Sequence, residues 1–134
     1  MKLLIIMMIS FIQFKVVASE NCYDKLSKSE VSKAKLIAHN ELVHLYERDL
    51  HATEEYNNTF FGDIFTRDET LELQRSNYKL LKSQAEIYES LYRSSLSIYR
   101  TCLTLNGTSI SLEEAEKHLS MNNVYELVEE FLNN

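Results

Sequence analysis

The sequence predicts an all-α protein, a small helical bundle built on a long antiparallel helical hairpin. One or two short C-terminal helices and one intramolecular disulfide complete the expected architecture. Three observations carry that expectation. The 134 residues include two Gly and no Pro, where average usage is roughly 7% and 5%; a chain so poor in turn residues should have few loops and long elements. Apolar residues recur at helical spacing over two long stretches, and no alternating run of β-branched residues reads as a strand. Finally, Cys22 and Cys102 stand where folding the chain back on itself would bring them together.

The first eighteen residues read as a segment apart. Met1-Lys2 is a short basic start, Leu3 to Phe14 is an apolar stretch, and Val16-Val17-Ala18-Ser19 is a small-residue exit. These are the three parts of a cleavable secretory signal, with the cut expected after Ala18. A membrane-spanning helix needs about 20 apolar residues, and Gln13 and Lys15 end this run too early. The expected product is a single domain over residues 19–134, secreted and extracellular, with no membrane span once the signal is removed. Lys2 and Lys15 leave with the signal, so 12 basic residues face 20 acidic ones, a net charge of −8. That balance argues against nucleic acid and anionic membranes as partners.

Helix starts are legible from capping chemistry. Ser27-Lys-Ser-Glu30 has the form of a capping box, and behind it Val31, Ala34, Ala38, Leu42, Leu45, Ala52 and Tyr56 trace an apolar stripe. Leu36, Val43 and Leu50 widen the stripe into an arc that should be covered on more than one side. The first helix is therefore expected over residues 27–56. Asn57 to Asp63 carries turn formers. Thr66-Arg-Asp-Glu69 is a second capping box, opening a helix of up to forty residues that ends at Asn106-Gly107. In that helix Leu71, Tyr78, Ala85, Tyr92 and Tyr99 form one row, with Leu81, Tyr88 and Cys102 in the next and Leu91, Ile98 and Leu105 alongside. A bend at Ser76-Asn77 is allowed, because polar Gln74 and Ser95 fall on the seam. Ser111-Leu-Glu-Glu114 caps a short third helix, with Ile110 and Ala115 placed for a hydrophobic staple. Asn122-Asn123 should interrupt it, and Asn123-Val-Tyr-Glu126 should start the last helix.

The cysteines test this arrangement. In an antiparallel hairpin, paired residues share a common centre, and Cys22 and Cys102 are centred on Gly62, inside the turn already assigned from composition. An internal bridge and a monomer are expected. In the chain-entropy model, closing a loop of about eighty residues contributes about 4.5 kcal/mol.

Chemical motifs are scarce. Asn57-Asn-Thr59 and Asn106-Gly-Thr108 are glycosylation sequons at helix boundaries, which makes Asn57 and Asn106 candidate acceptors. His39-Asn-Glu-Leu-Val-His44 is not the zinc-protease pattern: a five-residue step turns about 140° around a helix, so the two rings cannot share a metal. His44, Glu47 and His51 share the polar face of the first helix and form a weak candidate metal set. His39 lies in the apolar arc and should be packed with a backbone partner. No nucleophile elbow, phosphate loop or calcium loop is present, and nothing calls for a cofactor.

Eight tyrosines are unusual for this length. Tyr78, Tyr88, Tyr92 and Tyr99 line one side of the second helix as core packing, as a partner surface, or as the wall of an apolar cavity. The sequence therefore supports a non-enzymatic secreted protein that binds an extracellular macromolecular partner. The alternative expectation is a carrier of a small apolar ligand held between helices.

Overall fold

In a computed structural model of the chain, residues 2–57 and 68–134 are described, with side chains over 22–56 and 70–134. Among the described residues four helices follow in order: α1 (Lys2–Asn57), α2 (Asp68–Leu105), α3 (Leu112–Glu116) and α4 (Met121–Asn133). No strand occurs among the described residues. The expected hairpin forms: α2 packs on α1 from Cys22 onward, α4 lies on α1, and α3 rests on α2. The cross-hairpin pairs Cys22–Cys102, Ser32–Ser95, His39–Leu81, Glu47–Tyr78 and Glu54–Arg75 are all centred between residues 60 and 65. Gly62 and Thr66, the first residue of the second capping box, fall outside the described residues, as does most of the Asn57 sequon.

The disulfide closes the far end of the hairpin, with Cα atoms 5.5 Å apart. Around it Cys22, Tyr92, Leu96, Tyr99, Ala115 and Leu119 form one core. Ile110 packs against the same cluster as Ala115, which fits the expected staple. A second core joins Ala34 and Ala38 of α1 to Val124 and Val128 of α4. The alanines let α4 lie close on α1, and the valines fill the space the short side chains leave.

Several boundaries differ from expectation. α1 begins at Lys2 and not near Ser27, because the Ser27–Glu30 box is not used as a cap. Without Gly or Pro before it, nothing in the chain stops the backbone ladder there. Ser29 instead donates its hydroxyl to the Lys25 carbonyl at 3.0 Å. Glu30 accepts, at 2.8 Å, the backbone N–H of Ser120 at the start of α4. α4 accordingly begins at Met121, capped by Ser120 and not by Asn123; the Ser120 hydroxyl accepts from the Asn123 N–H at 3.4 Å. A capping box normally takes both its side chains from one stretch of chain. Here Ser120 supplies one and Glu30, 90 residues away, supplies the other.

Elsewhere the boundaries agree with the sequence. α2 runs unbroken through Ser76-Asn77 and ends before Asn106-Gly107, where Gly107 takes a left-handed φ of 86°. Ser111 caps α3, accepting from the Glu114 N–H at 3.1 Å. The broad arc of α1 is covered on two sides only in the stretch under α4. Past α4, Leu42, Leu45 and Tyr56 remain nearly half exposed, while Leu50 stays buried.

Candidate functional site

The tyrosine row is the first place to look, and it faces inward. Tyr92 and Tyr99 are buried, because their row points between α1 and α3, into the core that surrounds the disulfide. The Tyr92 hydroxyl donates to Glu116 Oε1 at 2.7 Å, and Lys33 Nζ meets the same oxygen at 3.1 Å while lying 4.6 Å over the Tyr92 ring. The Tyr99 hydroxyl pairs with His118 Nδ1 at 2.7 Å. Tyr78 donates to Glu47 at 3.1 Å, and Tyr88 packs tilted on His39, ring centres 4.9 Å apart. Tyr92 and Tyr99 pack in the core and anchor α2 to the rest of the bundle, while Tyr78 and Tyr88 lie half-buried along the α1–α2 seam. Their hydroxyls find polar partners or stay near solvent, as half-buried tyrosines do.

The electrostatics follow from those contacts. Burial, then the hydrogen bond to Glu116, holds the Tyr92 phenol well above its ordinary 10.0. Burial alone raises Tyr99, and the bond to Glu47 raises Tyr78. Glu116, hydrogen-bonded by Tyr92 and then by Lys33, sits below its ordinary 4.5. One carboxylate oxygen thus takes two donors and ties α1, α2 and α3 together. The geometry is that of a structural tie.

The candidate metal set does not assemble. His44 lies 3.8 Å from Glu47, but His51 turns to Glu55 at 3.3 Å and Glu47 is engaged by Tyr78. Among the described residues no group of three His, Cys, Asp or Glu side chains is placed to hold a metal. His39 takes the backbone partner expected of it, with Nε2 2.8 Å from the Leu81 carbonyl oxygen.

Asn106 is placed unexpectedly for a sequon. Its Nδ2, the atom a glycan would occupy, donates to the Cys102 carbonyl at 2.8 Å and lies 3.3 Å from Cys22 Sγ. The side chain thus closes the last turn of α2 over the disulfide.

A strip of exposed apolar side chains lies on the other side of α2. Leu73, Leu80, Ile87, Leu91, Ile98 and Leu105 are each between 53% and 82% exposed. Their steps of seven, seven, four, seven and seven residues put all six on one narrow face. An open groove of about 700 Å³ runs beside its C-terminal half, lined by Lys25, Ser97, Ile98, Thr101, Cys102 and Leu105. Sequence reasoning finds Leu91, Ile98 and Leu105 but sets them beside the core. The available signal is the continuation of their heptad through Ile87, Leu80 and Leu73.

The chain matches no protein-family model, no curated protein and no solved structure.

Proposed function

We propose that this is a secreted, non-enzymatic helical protein that engages a macromolecular partner outside the cell through the outer face of α2. The observation that carries the reading is the row of six large aliphatic side chains, each more than half exposed, at heptad spacing on one helix. Monomeric soluble proteins expose single apolar residues freely but seldom a continuous strip of them. Each exposed Leu or Ile leaves unburied a side chain whose burial is favourable by about 1.5–3 kcal/mol. The basic-apolar-small pattern of residues 1–18 supports secretion, and the disulfide is of the kind that persists in oxidising compartments.

The test has two parts. Full chain expressed in eukaryotic cells should appear in the medium and, after enzymatic deglycosylation, have the mass of residues 19–134. On a hydrophobic-interaction column it should be retained, whereas a Leu80→Glu/Ile87→Glu variant with unchanged circular dichroism should elute early. Equal retention of the two proteins would remove the outer face of α2 as the interaction surface.

A further inference from the structure

The six exposed residues are arranged symmetrically about Glu89. Leu73 and Leu105, Leu80 and Ile98, and Ile87 and Leu91 are all centred on that position. The same holds for the polar residues that complete the face, Gln84 with Ser94 and Asn77 with Thr101. From this we infer that the outer face of α2 pairs with the same face of a second copy of the chain, antiparallel, about a two-fold axis that crosses the helix at the level of residue 89. The inference rests on the reading of that face as the interaction surface and names its occupant, in place of the monomer expected from the cysteines.

Antiparallel pairing about that axis sets every apolar residue against an apolar residue of the second copy and every polar one against a polar one. An isologous contact requires such self-complementarity, and polar layers facing polar layers fix the register. A parallel, in-register pair would match any stripe with itself, and so would leave the symmetry of this one without a cause. It would also align two helix macrodipoles, which antiparallel packing opposes.

The flanking residues agree. One side of the stripe is a column of small hydroxyl residues, Ser76, Ser83, Ser90, Ser97 and Thr104, which lets two backbones approach closely.

The size of the contact sets its strength. From residue 73 to residue 105 the stripe is about 48 Å long at 1.5 Å per residue. With a width of about 10 Å, it covers about 1,000 Å² over both copies, the lower limit for a specific interface. A reversible dimer in the micromolar range is expected, not an obligate one.

Sedimentation equilibrium of the secreted chain from about 1 to 100 µM tests this. The wild type should show a monomer–dimer equilibrium. Ile87→Glu, which sets a charge against Leu91 of the second copy, should weaken it about a hundredfold. Ser83→Cys mixed with Ser97→Cys should form a crossed disulfide between copies, in preference to either variant with itself. A wild type monomeric at 100 µM, a dimer indifferent to Ile87→Glu, or preferential coupling of the Ser83→Cys variant to itself would each overturn the pairing. A chain that is monomeric yet still loses column retention in the Leu80→Glu/Ile87→Glu variant would keep the surface and exclude the second copy as its occupant.

Discussion

Single side chains decide how the helices of this protein are held, and three of them give sharp expectations. Glu116 stabilises the fold as a carboxylate, since Tyr92 and Lys33 both bond its charged form. Its value in the folded state lies below the ordinary 4.5, so this stabilisation is present above pH 4.5 and is lost as pH falls below it. Thermal melting followed across that range should decline in the wild type and decline less in Glu116→Gln, which cannot titrate. Glu30 makes the comparable contact for α4. Glu30→Ala leaves the Ser120 N–H without its acceptor and should cost about 1–2 kcal/mol, measurable by urea unfolding. For Asn106, a glycan on Nδ2 would leave one N–H to serve both the Cys102 carbonyl and Cys22 Sγ. We expect Asn106 to carry no glycan in the secreted protein, and Asn57→Gln should therefore abolish any mass change on enzymatic deglycosylation. A residual shift in that variant would show the acceptor is used.

At the scale of the helices, what can be read from sequence depends on how far apart the cooperating residues lie. The end of α2 at Asn106-Gly107 and the Ser111 cap of α3 are settled within one turn of chain, and both are legible. Replacing Ser111 by Ala should cost about 1 kcal/mol, by the same urea measurement. The start of α1 is misread because Ser27-Lys-Ser-Glu30 has the composition of a cap while its glutamate serves a helix 90 residues away. No local rule distinguishes a carboxylate that turns back on its own helix from one that reaches across to another. The tyrosine row is ambiguous for a related reason. Heptad spacing identifies faces of a helix but not which of two faces the rest of the chain covers. Tyr78, Tyr92 and Tyr99 and the row from Leu73 to Leu105 both satisfy it, and only the placement of α1 and α3 decides between them. The metal set His44, Glu47 and His51 shares a helix face, but Glu55 and Tyr78 engage its members separately.

For the molecule as a whole, fold-back about residue 62 is the strongest inference from sequence, because two cysteines and a turn-rich stretch fix one register independently. The bridge it implies is formed. Its removal should be felt globally: Cys22→Ser/Cys102→Ser is expected to lose about 4.5 kcal/mol, much of the net stability of a domain this size. The loss should appear as a large fall in melting temperature. The divided cap between Glu30 and Ser120 bears on the order in which the molecule is assembled. A helix of 13 residues is marginal alone in water, and α4 receives part of its N-terminal bonding from a residue on α1. Its helicity is thus conditional on α1 already being in place. α4 should form after α1 and exchange its amide hydrogens before the long helices α1 and α2 do, making it an internal gauge of whether the hairpin has closed.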